Sequence, residues 1–115
     1  MARKLSILMV VALVFGLLTG AAFAEQIRVG LVLSEGGLGD QSFNDAAFRG
    51  LVRAREELGV TYSYVEPFDI SEMEDHQRFF ADAGMDLVIA IGFTHESAMY
   101  AVAADYPDVK FAIVD

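Results

Sequence analysis

Cysteine and tryptophan are absent from this 115-residue sequence, and basic residues are few. Without cysteine, the chain has no means to form a disulfide, a thiolate nucleophile or a cysteine-ligated metal site. Its eight lysines and arginines are outnumbered by 17 acidic residues, which leaves a formal net charge of −9. A chain this acidic lacks the basic surface that neutralises phosphates, so we expect no nucleic acid partner.

Acidic residues are also missing from the first 24 positions, where Arg3 and Lys4 precede a long apolar stretch. Ala22-Phe23-Ala24 then supplies small residues at the two positions that a signal peptidase reads. This layout predicts a secretory signal peptide over residues 1–24, which leaves residues 25–115 in the periplasm or secreted. A membrane anchor is the alternative, because the apolar stretch approaches the ~20 residues that span a bilayer. Since no cysteine is available for lipid attachment, we expect that the protein is not a lipoprotein.

Short apolar runs alternate with amphipathic segments along the rest of the chain. Such alternation, with helices of roughly 10–15 residues, predicts βαβ units and an α/β fold with a parallel sheet covered by helices on both faces. Four strands and three helices make about half of a doubly wound domain, so we expect a fragment of a longer protein. The predicted strands are 27–33, 62–65, 87–91 and 110–114, and the predicted helices begin near 42, 71 and 96.

Two of the predicted helices begin with a capping box, which is a serine followed three residues later by an acid. Ser42 and Asp45 form the first box, and Ser71 and Glu74 form the second. Gly59 lies where the first helix is expected to end, since glycine readily adopts the left-handed conformation of a helix terminus.

Ligands of open parallel sheets bind outside the carboxyl ends of the strands. The first such segment contains Gly36, Gly37 and Gly39, but their spacing fits neither a dinucleotide fingerprint nor a P-loop. Glu35 and Asp40 flank these glycines, and two carboxylates repel a phosphate. We therefore expect no nucleotide cofactor.

Asp40, Phe43 and Asn44 follow the same strand and admit two interpretations. In one, the carboxylate accepts hydrogen bonds from paired sugar hydroxyls, the aromatic ring offers a flat apolar face, and the amide both donates and accepts. In the other, Asp40 and Ser42 are helix caps and Phe43 belongs to the core. Residue chemistry alone does not choose between them.

The later strand ends carry Gly92, Phe93 and Asp115. Phe93 is either a lid on the core or a stacking platform, with core as the default. His95 lies beside an acid near a helix start, which favours a solvated or cap-related histidine. Neither His76 nor His95 has a second ligand at metal spacing, and no serine nucleophile is paired with either. We therefore predict no catalytic residues and no metal site.

The run from Gly39 to Leu51, G-D-Q-S-F-N-D-A-A-F-R-G-L, resembles the opening of the basic membrane protein (BMP) family, whose members are substrate-binding proteins of ABC transporters. The stretches 91–94 and 106–115 are similar to later segments of that family. The resemblance covers residues 26–115. It implies a periplasmic-binding-protein type I fold, in which two α/β lobes close on a ligand, and this chain would be an incomplete first lobe.

Family members known in detail bind nucleosides, and the resemblance assigns roles to particular side chains. It implies that Phe43 stacks on the base and that Asn44 hydrogen-bonds it. Asp40 and Asp115 would contact the base or the ribose hydroxyls, and Gly92-Phe93 would line the same site.

The resemblance also implies what the protein works with. Its partners would be a nucleoside-like small molecule and an ABC permease in the inner membrane, with no cofactor, no enzymatic activity and a monomeric full-length state. Because the second lobe would be missing, we expect weak ligand binding by these residues alone. A sensory module that presents the solute to a membrane receptor is the alternative function. An enzyme on a flavodoxin-like sheet is disfavoured by the failed phosphate fingerprint.

Overall fold

The computed structural model describes residues 24–115, so residues 1–23 of the predicted signal peptide lie outside the described residues. Within this described range, no helix is long and apolar enough to cross a membrane. Strands and helices alternate as predicted, with two short 3-10 helices at Ile70–Glu72 and Phe93–His95. In chain order, the other elements are β1 (Arg28–Val32), α1 (Phe43–Leu58), β2 (Thr61–Val65), α2 (Met73–Asp82), β3 (Leu87–Ile91), α3 (Glu96–Asp105) and β4 (Lys110–Val114).

The four strands form one parallel sheet in the order β2-β1-β3-β4. Val29 of β1 is in register with Tyr62 of β2 and with Leu87 of β3, and Leu87 is in register with Lys110 of β4. The chain leaves β1 towards one edge, returns past it, and continues to the other edge. The gap between the carboxyl ends of β1 and β3 is therefore the topological switch point, where ligands of open α/β sheets bind. The prediction of an α/β fold with a parallel sheet is confirmed.

Alternate strand residues point to opposite faces of the sheet, and apolar residues lie on both faces. Helices therefore cover both faces. Leu51 of α1 packs with Val29 and Leu31 on one face. Phe80 of α2 packs with Val32 and Val88 on the other. The parallel sheet is thus buried from both sides at β1, which explains why the four residues after Arg28 in that strand carry no polar side chain.

The helix caps differ from the predicted capping boxes. Among the described residues, the Ser42 side chain makes no capping hydrogen bond, and Asp40 takes this role instead. At the second helix, Asp69 accepts a hydrogen bond from the Ser71 N–H at 2.9 Å and opens the 3-10 turn before α2. An aspartate two or more residues upstream competes with serine because its charged oxygens accept several N–H groups at once. Gly59 ends α1 at φ 72°, as predicted.

Candidate functional site

Asp40 lies just before the amino end of α1 and is exposed at the carboxyl edge of the sheet. One carboxylate oxygen accepts hydrogen bonds from the N–H groups of Ser42 at 2.9 Å and Asp45 at 3.1 Å, and the other accepts from the Asn44 N–H at 3.0 Å. The N–H of Ser42, followed by those of Asn44 and Asp45 and by the charge of Arg49, lowers the pKa of the Asp40 carboxyl. Asp40 is therefore an ionised helix cap, as one of the two interpretations held.

Carboxylates from outside the loop between β1 and α1 accept hydrogen bonds from its backbone. The Asp45 carboxylate accepts the N–H of Gly39 at 2.7 Å and that of Gln41 at 2.9 Å. From the next strand along, the Glu66 carboxylate accepts the Leu38 N–H at 2.9 Å. The loop amides are thus largely occupied by carboxylates of this chain, which makes the loop a poor cradle for a phosphate.

Phe43 is the first residue of α1 and is 58% exposed, so it does not belong to the core. It lines an apolar groove of about 560 Å³ between α1 and the sheet, which Val114 also lines. A solvent-facing ring at the start of a helix is free to stack on a planar ligand. The second interpretation is therefore right about Asp40 as a helix cap but wrong in placing Phe43 in the core.

Asn44 is fully buried, and its side chain is engaged within the protein. Its Oδ1 accepts the Ser34 N–H at 2.9 Å, and its Nδ2 donates to Ser34 Oγ at 2.8 Å. These bonds tie the start of α1 to the end of β1. The role that the resemblance gives Asn44, a hydrogen bond to the ligand, stays a prediction, because in this structure the amide positions the loop.

Gly92 brings the loop after β3 against the loop after β1. Its φ of 100° lies in the region that side chains rarely adopt. A Cβ atom at this position would come within 3.7 Å of the Ser34 Cβ, so the two loops meet here at the switch point. The Gly92 N–H also donates to the Val114 carbonyl at 2.9 Å, which links this turn to the end of β4.

Phe93 and Asp115 line a second apolar groove, of about 440 Å³, between α3 and β4. Phe93 is 69% exposed, so the default assignment to the core is wrong and the stacking interpretation remains. Of the predicted site residues, the structure therefore groups Asp40, Phe43 and Asn44 at the start of α1. It places Phe93 and Asp115 on a neighbouring groove of the same edge.

His95 differs most from its prediction as a solvated or cap-related residue. Its ring is fully buried beneath the switch point and contacts Gln77 of α2 and Leu33 at the end of β1. Sequence reasoning missed this pair and also the Glu66 contact to the loop. No local signal reveals them, because each partner is at least 18 positions away in the chain. In the described part of the chain, no group of three acidic, histidine or cysteine side chains is placed to hold a metal.

The fold defines a class of protein, the α/β domain with an open parallel sheet, in which ligands bind at the topological switch point. The family model for ABC transporter substrate-binding proteins of the PnrA-like Bmp family matches residues 27–115. The chain belongs to this family, and the resemblance drawn from its motifs is confirmed. The family is one of solute-binding proteins rather than enzymes.

Individual relatives agree with this assignment. An uncharacterized lipoprotein of Pyrococcus abyssi is 36% identical over 94% of this chain and 28% of its own length. The ABC transporter nucleoside-binding protein BmpA of Lactococcus lactis is 28% identical over 84% of this chain and 29% of its own length. A crystal structure of an ABC transporter solute-binding protein from Aeropyrum pernix superposes with a TM-score of 0.72 at 38% identity, over 77% of this chain and 24% of that one. The chain thus spans about a quarter of the length of the curated relatives it matches.

The expectation that the protein is not a lipoprotein is wrong. Besides the Pyrococcus abyssi relative, proteins from Pyrococcus furiosus and Pyrococcus horikoshii at 39% and 38% identity are named uncharacterized lipoproteins. These names indicate membrane-anchored lipoproteins in this group. The expectation rested on the absence of cysteine from these 115 residues alone, and the names of the relatives contradict it.

Proposed function

We propose that this chain supplies the first ligand-binding lobe of an ABC transporter substrate-binding protein, with a nucleoside-like solute as its ligand. The observation that carries the proposal is the exposure of two phenylalanine rings, Phe43 and Phe93, beside the switch point. Exposed aromatic rings at a concave edge bind flat ligands by stacking, which is worth about 1–3 kcal/mol per base. The nucleoside-binding name of the Lactococcus lactis relative supports the same ligand class.

Charge at this edge supports an uncharged ligand with hydroxyl groups. Asp40 stays ionised because N–H groups lower its pKa, and a carboxylate accepts hydrogen bonds from sugar hydroxyls. Glu35 on the same loop and Asp45 in the first turn of α1 add negative charge, which repels phosphate groups. A nucleoside is therefore favoured over a nucleotide. In the full-length transporter system, the closed receptor would deliver this solute to a membrane permease.

The proposal is tested by titrating the chain with inosine, followed by NMR because a single lobe binds its ligand weakly. We expect shifts at the amides around Phe43 and Phe93, and much smaller shifts with inosine 5′-monophosphate. Phe43→Ala should weaken inosine binding by roughly tenfold or more. Phe79→Ala is the matched control, since Phe79 is similarly exposed at 60% but lies on α2.

Equal binding by the two alanine variants would contradict stacking on Phe43. Equal shifts with the nucleoside and the monophosphate would contradict the role of charge. Shifts confined to residues away from the carboxyl edge would contradict the site itself.

A further inference from the structure

A buried polar pair lies directly under the switch point. The His95 Nε2 is 3.0 Å from the Leu33 carbonyl oxygen, and its Nδ1 is 3.1 Å from the Gln77 Nε2. Because a carbonyl oxygen only accepts, Nε2 carries the ring proton, and Nδ1 accepts from the amide of Gln77. One imidazole thus joins the end of β1, the turn after β3 and the middle of α2.

Burying this polar pair in the core costs free energy that an apolar pair would not. Within the described residues, Gln77 Oε1 is a fully buried oxygen with no hydrogen-bond partner. A buried amide oxygen without a partner loses its hydrogen bonds to water and gains none in return. A leucine or methionine would fill the same space without that loss, so packing alone does not explain Gln77.

What the pair orients is the backbone of the two crevice loops. Leu33 directly precedes Ser34, whose carbonyl accepts the Gly37 N–H at 3.0 Å and starts the turn of the first loop. His95 itself belongs to the 3-10 turn that carries Phe93, and its N–H donates to the Gly92 carbonyl at 3.2 Å. Fixing the imidazole therefore fixes the two loops relative to each other.

We propose that His95 and Gln77 are positioning residues that hold the loops after β1 and β3 in register across the ligand crevice. The assignment of that crevice to the ligand rests on the proposed function. The geometry of the pair does not, so the two proposals can fail separately.

The test is amide hydrogen exchange of the full chain without ligand, comparing the native sequence with Gln77→Met. Methionine fills the space of glutamine but does not donate to Nδ1, so the ring loses one of its two anchors. We expect the Gly37 and Leu38 amides to exchange about tenfold faster, while the amides of β3 keep their native rates. Phe79→Met, an exposed site on the same helix, is the matched control and should leave all rates unchanged.

Native rates at the Gly37 and Leu38 amides in Gln77→Met would overturn the proposal. Equal acceleration of the loop and of β3 would also overturn it, because the pair would then be a general core element. A nitrogen-15 spectrum of the native His95 ring gives an independent check, with the proton expected on Nε2 at pH 7. A proton on Nδ1 would show that the bridge is not formed. Inosine titrations of the native chain and of Gln77→Met then separate the two proposals. If the loop loses its protection in Gln77→Met but the native chain binds no inosine, only the proposed function is refuted.

Discussion

Replacing Asn44 by alanine tests whether its amide supports the crevice loop. The substitution removes three hydrogen bonds to Ser34, one with its N–H and two with its hydroxyl, and leaves the Ser34 N–H without its acceptor. A buried donor without a partner costs about 1–3 kcal/mol, and alanine regains at most about 0.5 kcal/mol of helix propensity. The expected net loss in the free energy of unfolding is therefore roughly 0.5–2.5 kcal/mol. For a domain of this size, each kcal/mol lowers the Tm by about 4–8 °C.

Urea unfolding of residues 24–115, followed by far-UV circular dichroism, measures this loss. Ser42→Ala is the matched control, because the Ser42 side chain makes no capping bond among the described residues, and we expect it to stay within about 0.5 kcal/mol of the native chain. Ser34→Ala should destabilise the chain by a similar amount to Asn44→Ala, since it keeps the N–H bond to Asn44 Oδ1 but leaves the buried Asn44 Nδ2 without its acceptor. If Asn44→Ala unfolds like Ser42→Ala, the amide does not support the loop, and its role passes to the ligand alone.

Three further predictions concern the fold beneath the site. Burial lowers the pKa of His95, so the unfolded chain binds this proton more tightly than the folded one. Stability should fall as the pH drops below the ordinary value of about 6.5 towards the folded-state pKa, and His95→Gln should reduce this fall in urea unfolding at pH 5 and 7. In Gly30→Ala, the new Cβ would lie 2.6 Å from the Phe80 ring, so we expect the free energy of unfolding to fall by about 1–3 kcal/mol. Phe80→Leu in the same chain should restore part of this loss. A fully stable Gly30→Ala would contradict the packing. Gly50→Ala within α1 should stabilise the chain by about 0.5–1 kcal/mol, because alanine is the better helix former. Gly59→Ala, at φ 72°, should destabilise it by about 1–2 kcal/mol. Equal changes in Tm for the two variants would refute the assigned end of α1.

The strands were predictable because their apolar runs are local properties of the chain. β3 and β4 have the predicted bounds, whereas β1 is one residue shorter at each end and β2 begins one residue earlier than predicted. The helix starts were less predictable, because serine and aspartate compete for the same N–H groups. Asp40 and Asp69 act as the caps in place of Ser42 and Ser71. Each aspartate lies before its helix, and its charged oxygens accept hydrogen bonds from N–H groups two or more positions later in the chain. The capping-box pattern does not consider a residue that far upstream.

The candidate site was predictable in its location but not in its supports. Knowing that the sheet is parallel places Phe43 and Phe93 on one edge, whatever the details of packing. The burial of His95 depends on a carbonyl 62 positions earlier and on a glutamine from another helix. A histidine beside a glutamate at a helix start does not indicate either partner, so the local sequence predicted a solvent-exposed or cap-related side chain.

The exposed aromatic rings and the internal hydrogen bonds of this edge favour the same interpretation. Each of the first three strands is followed by an exposed phenylalanine, since Phe68 after β2 is 92% exposed, as Phe43 and Phe93 are in their loops. Exposed phenylalanines gathered on one edge indicate a surface that a ligand or partner covers. The loop amides between them are already bonded to Asp45 and Glu66, so the loop keeps its shape without a ligand. On the proposed function, an acidic loop between exposed aromatic rings would bind its ligand by stacking and by accepting hydrogen bonds, a combination that suits the proposed neutral nucleoside better than a phosphorylated one.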